Sequence, residues 1–119
     1  MRKSLVTLLA AFTLPTAVNA SIPYLYINAG NMGEYESVNE CIQIAMREIK
    51  IAGFTKIVNS GIDETNKKEA TIVANHSWRP ATITYRCSEE LKVYGWGVSA
   101  IDNDDAYESY IDMVNAFGK

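Results

Sequence analysis

Three side chains carry most of the chemical potential of this sequence: Cys41, Cys87 and the single histidine, His76. Cys41 lies in "SVNECIQIAMREIKIAGF", residues 37–54. Its sulfur could be a nucleophile, a metal ligand or half of a staple. A nucleophilic thiol needs a cationic, partly exposed setting or a helix N-terminus with a base nearby. Cys41 is close to a helix start, which keeps that reading open. Zinc needs more ligands than two cysteines and one histidine readily supply, so no metal or cofactor is expected. His76 sits in "NHSWRP" with Ser77, Trp78 and Arg79. A Ser/His pair with an acid from elsewhere would hydrolyse esters or amides, but no G-x-S-x-G elbow accompanies it. The plainer reading is a hydrogen-bonding residue at a strand end, or one at the core margin if it alternates with Ile72 and Ala74. No residue is assigned as catalytic, and a hydrolase using His76 stays a minor alternative.

A second group could recognise rather than react. In "YGWG", residues 94–97, Trp96 stands between two glycines. Glycine inside a strand marks a bulge or close approach by a ligand or another backbone. Trp78, Arg79, Tyr94 and Trp96, with Tyr24 and Tyr26, could form an aromatic recognition surface, since Trp, Tyr and Arg dominate binding hot spots. The competing reading is that these rings fill the core or cover the sheet. "DNDD", residues 102–105, lacks the calcium-loop spacing, because Ala106 and Tyr107 follow. It reads as the acidic start of a helix. Asn75-His76-Ser77 fits a glycosylation sequon, usable only in a eukaryotic secretory pathway.

The elements that must position these groups follow from periodicity. "YLYIN", residues 24–28, is aromatic and β-branched and reads as a strand. Ser37 and Glu40 form an S-x-x-E capping box. Behind it Val38, Cys41, Ile42, Ala45, Ile49 and Ala52 recur at helical spacing, with Glu40, Arg47 and Glu48 off that stripe. Gly53 stands where a helix C-terminus favours a left-handed residue. Strands are expected over 54–60, 69–78, 81–87 and 90–101, with a polar loop at 61–68. A last helix is expected in which Tyr107, Tyr110, Ile111, Val114 and Phe117 repeat at helical spacing. The order is β-α-β-β-β-β-α. Short connections favour an antiparallel meander, and two helices on one face make a two-layer α+β sandwich of four or five strands.

In "ATITYRC" the period of two puts Ala81, Ile83, Tyr85 and Cys87 on one face and Thr82, Thr84 and Arg86 on the other. Cys87 therefore faces the layer that carries Cys41. The chain also opens with a leader: Arg2 and Lys3, an apolar run from Leu5 to Leu14, then Pro15 and Val18-Asn19-Ala20. Residues 1–20 read as a secretory signal peptide, and 21–119 as one domain of 99 residues. In an oxidising compartment a pair of cysteines reads as a disulfide. A Cys41–Cys87 bridge is expected. It would close a loop of about 46 residues and stabilise by roughly 4 kcal/mol on the chain-entropy model. A reactive Cys41 and two buried free thiols are the rivals.

The chain has 119 residues and a net charge of −3. Loss of the leader removes Arg2 and Lys3 and leaves nine basic residues against fourteen acidic ones, a charge of −5. The basic residues are scattered, so nucleic acid is not an expected partner. An anionic membrane surface is disfavoured for the same reason.

A cysteine in the first helix before "AGF", a strand ending in Cys ("TITYRC"), an apolar strand and a closing helix ending near Phe117 together resemble a class of small exported two-cysteine bacterial α+β domains. The resemblance spans most of residues 21–119. It implies a fold and a disulfide, and no activity; the "YGWG" glycines depart from its apolar strand. The resulting expectation is an exported, periplasmic or secreted, non-catalytic binding domain. It would engage a protein, for instance as a periplasmic inhibitor or immunity-type protein. A small-molecule-binding or envelope-accessory domain is the alternative.

Overall fold

A computed structural model describes residues 23–117. The signal peptide expected over 1–20 lies outside the described residues, as do 21–22 and 118–119. The elements are β1 (Tyr24–Asn31), α1 (Val38–Ile51), β2 (Lys56–Ile62), β3 (Glu69–Asn75), β4 (Ala81–Ser88), β5 (Val93–Ala100) and α2 (Asn103–Ala116). This is the expected β-α-β-β-β-β-α order, and the fold is an α+β sandwich. The five strands form one antiparallel sheet in the order β1-β5-β4-β3-β2. Strands two to five are thus a simple meander, and the N-terminal strand adds to its far side. α1 packs over β3 and β4, and α2 over β5 and β1. No helix among the described residues is long and apolar enough to cross a membrane.

The first helix begins where its residues require. Ser37 accepts from the Glu40 amide, and the Glu40 carboxylate accepts from the Ser37 amide. At the other end the Phe54 amide bonds back to the Ile49 carbonyl, and Gly53 takes φ +104°. That is the left-handed turn glycine adopts without a Cβ penalty. Asp102 caps α2, accepting from the amides of Asp104 and Asp105. The acidic run is therefore a helix start, where the dipole favours negative charge.

The core lies between sheet and helices. Ile72, Ala74, Ile83, Tyr85, Trp96 and Val98 come from the sheet, and Cys41, Ala45, Ile49, Ala106, Met113 and Ala116 from the helices. Two helical stripes differ from the apolar repeats of the sequence. Glu48 is buried rather than solvated, because it stands seven residues from Cys41 and so returns to the same helical line. In α2 the buried positions are Ala106, Ser109, Met113 and Ala116, while Tyr107, Val114 and Phe117 are exposed. The sheet beneath α2 already supplies the bulk of Trp96 and Tyr26. The helix therefore presents small residues to it, and Tyr107 and Tyr110 flank Tyr26 instead.

Cys41 and Cys87 are both buried and bonded to each other across the two layers, with Cα atoms 6.3 Å apart. The described residues contain no free cysteine. The sulfur of Cys41 is a staple, and neither a reactive thiol nor a ligand. A disulfide fits an oxidising, exported environment.

Candidate functional site

The alternating inner face of β3 runs Ala70, Ile72, Ala74 and continues to His76, which is buried. The core-margin reading of this histidine therefore holds. Its Nδ1 accepts from the backbone amides of Trp78 and Arg79, each at 3.3 Å. The proton then resides on Nε2, which donates to Asp112 Oδ2 on α2 at 3.4 Å. Arg79 Nη1 donates to the same carboxylate oxygen, and Arg79 Nη2 lies 3.6 Å from Glu108 Oε1. Phe54 and Trp78 pack edge-on against the imidazole, with centroids 5.0 and 4.4 Å away. Burial lowers the His76 pKa below its ordinary value of 6.5. The bond to Asp112 opposes this and the Arg79 charge reinforces it.

Gly53 completes the seat. Its carbonyl accepts from both the amide and the hydroxyl of Ser77, at 2.8 and 2.9 Å. A Cβ here would lie 2.6 Å from His76 Nε2. Glycine is required at this position twice over, by backbone conformation and by the approach of the imidazole. The Ser77 hydroxyl also shares a hydrogen bond with Thr55. It is thus turned to Gly53 and Thr55, and both histidine nitrogens are engaged. The arrangement is a clamp joining the end of α1, the β3–β4 loop and α2.

This clamp presents Trp78. Trp78 is 70 % exposed, packed edge-on against His76 and overlain by the Arg79 guanidinium at 5.8 Å. Beside it opens a cleft of about 250 Å³ lined by Ile51, Ala52, Trp78, Asp112, Asn115 and Ala116. The cleft is smaller than the usual 300–1,000 Å³ of a small-molecule pocket and closer to the size of one or two inserted side chains.

The other two expected surface residues lie elsewhere. Trp96 is 3 % exposed and packs against Tyr110 of α2. Tyr94 stacks between Tyr85 and Phe117, with centroids 5.9 Å from each. The single aromatic surface uniting Trp78 and Arg79 with Tyr94 and Trp96 is therefore corrected. Of the first pair Trp78 faces solvent and Arg79 is half-buried against Asp112, while the second pair is part of the packing, because even-numbered positions of β5 point to the helices. The adjacent glycines serve neighbours. A Cβ on Gly97 would meet Leu25 and Ile27 at 3.2 Å, and across the β1–β5 pair one on Gly30 would clash with the Tyr94 hydroxyl.

A second polar cluster lies beside the disulfide. Met32, Cys41, Glu48, Tyr85, Tyr94 and Phe117 line a cavity of about 180 Å³. Burial raises the pKa of both phenols, and the Glu48 charge adds to this. A third hollow, about 480 Å³, runs along α1 between Tyr35, Glu36, Glu40, Gln43, Ile44 and Arg47. Among the described residues no three His, Cys, Asp or Glu side chains group as metal ligands would.

Sequence reasoning found Trp78, Arg79 and His76 but missed Asp112 and Glu48. Glu48 had a readable signal, its heptad distance from Cys41. Asp112 had none, since its partner is 36 residues away in sequence. Comparison with family models, curated proteins and solved structures finds no match to this chain.

Proposed function

We propose that this protein is an exported, non-catalytic binding domain that engages a protein partner through the face around Trp78 and Arg79. One observation carries the reading. A largely exposed tryptophan packs edge-on against a buried histidine, carries an arginine guanidinium over its ring, and is set beside a cleft of side-chain size. Trp and Arg are the residues most enriched where truncation weakens protein complexes, and a preformed ring loses little conformational freedom on binding. The acidic balance of the chain suits a basic partner, by steering its approach. A periplasmic inhibitor or immunity-type protein is the concrete version. The leader, the disulfide and the resemblance to small exported two-cysteine domains support export to the periplasm or beyond.

The engagement of both His76 nitrogens favours a structural histidine over a hydrolytic one. A general base needs a nitrogen within reach of the nucleophile's proton. One observation favours the small-molecule alternative. The hollow along α1 has the volume of a ligand site and a mixed lining of Tyr35, Ile44, Arg47 and carboxylates.

The test uses the two tryptophans. Trp96→Phe leaves Trp78 as the sole indole. Exported proteins cross-linked to this variant are identified, and the purified partner is then titrated. Binding is expected to blue-shift Trp78 emission, and Trp78→Ala is expected to weaken binding at least tenfold while the fold is kept. A folded Trp78→Ala protein that binds the same partner equally well would overturn the reading. Ligand-dependent shifts confined to Tyr35, Ile44 and Arg47 would favour the alternative.

A further inference from the structure

The sheet has two outer strands, and only one is protected. β2 carries Lys56 and a bulge between Ile57 and Asn59, the devices by which proteins prevent strand-to-strand association. β1 has neither. Its eight residues, YLYINAGN, contain no proline and no side chain charged at neutral pH, and they pair with β5 in unbroken register. The face turned from the helices adds apolar surface. Leu25 and Ile27 are 64 % and 70 % exposed and lie across Gly97 of β5.

The unused hydrogen-bonding groups of this edge can be assigned. In an antiparallel pair, alternate residues turn their N–H and C=O toward the neighbouring strand. Just beyond β1 the Met32 amide donates to Lys92 on the β5 side. The even positions therefore serve β5. Leu25, Ile27 and Ala29 point outward, and the Ala29 amide duly finds only its neighbour, Asn28 Oδ1, at 2.7 Å.

We propose that β1 is a self-association edge, pairing antiparallel with β1 of a second copy about a two-fold axis at Ile27. This rests on residues other than those of the Trp78 cleft and does not depend on the function proposed above. The occupant is named by three properties of the strand. For the two outer faces to be continuous, odd positions must oppose odd ones. For ladder bonds to form, the opposed residues must be the outward-pointing ones. Both conditions are met when Ile27 faces its own copy and Leu25 faces Ala29. In that register the sizes also match across the axis. Bulky Tyr24, Leu25 and Tyr26 meet small Gly30, Ala29 and Asn28. The strand is thus complementary to itself, as an isologous interface requires. Its lack of charge spares two acidic chains any repulsion at the seam. Seven paired residues span about 24 Å, and the four Leu25 and Ile27 side chains become one apolar patch across the join.

The test is sedimentation equilibrium of the mature, oxidised chain from micromolar to near-millimolar concentration. A dimer is expected. Ile27→Lys, at an exposed position, places two ammonium groups directly opposite each other and is expected to raise the dimer Kd roughly tenfold or more. Leu25→Lys or Ala29→Glu alone should weaken the dimer, and the two together should restore it, because position 25 faces position 29 of the other copy. Circular dichroism checks that each variant is folded, and Trp78→Ala should leave the dimer intact. A strictly monomeric wild type, an Ile27→Lys protein that dimerises as before, or a folded double variant that stays monomeric would overturn the proposal.

Discussion

The two helices cover adjacent halves of one sheet and are held there by different chemistry. α1 is covalently stapled to β4, capped reciprocally by Ser37 and Glu40, and closed by a glycine turn. α2 has an Asp102 cap, no basic residue in its last turn and no covalent tie. It is held by ring contacts, Tyr110 on Trp96 and the tyrosines on Tyr26, and by the Asp112 carboxylate shared between His76 and Arg79. One half therefore answers to redox conditions and the other to pH and charge. The proposed recognition face lies along the seam, since its cleft takes Ile51 and the capping Ala52 from the end of α1 and Asp112 and Asn115 from α2.

The largest expected effect removes the staple. Reduction, or a Cys41→Ser/Cys87→Ser variant, should cost about 4 kcal/mol and lower Tm by on the order of 20 °C. Calorimetry with and without reductant measures it. A fall of only a few degrees would show that packing alone holds α1. Next comes the polar tie of the other half. Asp112→Ala leaves the His76 N–H and the Arg79 guanidinium without their shared acceptor and should cost about 2 kcal/mol. Hydrogen exchange should accelerate in α2 and the β3–β4 loop before it does in α1. Uniform acceleration would mean that the halves unfold as one. Ser37→Ala and Asp102→Ala should each cost about 1 kcal/mol, read from urea midpoints. The Asp102 variant should fray α2, where no staple limits the loss.

The smallest effect concerns pH. The folded state holds His76 neutral, with a pKa below the 6.5 of an unperturbed histidine. Below about pH 6.5 the unfolded chain takes up the proton first, so stability falls as pH drops toward the folded value. It is fully present above pH 6.5. Asp112 opposes the shift, which limits its size. Stability measured from pH 7.5 to 5 should show this slope, and His76→Gln should remove its share.

The sequence made the strands and the first helix legible because their signals are local. The alternation in 81–87, the Ser37–Glu40 box and Gly53 each act within a few residues. Cys41 and Cys87 could be joined because each sits on an apolar face whose side is set by period alone. For Trp96 the sequence left core and surface as competing readings, and the structure places it in the core. Its flanking glycines look like a binding motif, and only the register with β1 reveals that Gly97 makes room for Leu25 and Ile27 on the opposite face. The buried stripe of α2 is not legible from side-chain size, because the sheet fills that space with its own rings and leaves small residues of the helix facing it. Asp112 could not be found, since its role depends on the docking of α2 against a loop more than 30 residues away.

The Cys41–Cys87 bond also fixes which parts of the chain form a ring. The rest of α1, all of β2 and β3, and nearly all of β4 lie between the two sulfurs, whereas β1, β5 and α2 branch from outside them. The exposed turn around Glu64 and Lys67 falls inside the ring. A protease cutting there would open the ring without releasing a fragment. The nicked molecule would be heavier by one water, still tethered through sulfur, with β1 and α2 in place. Only a second event, reduction, would let the halves part. A cut in this turn would thus leave the oxidised chain as one covalent molecule, where the reduced chain would become two.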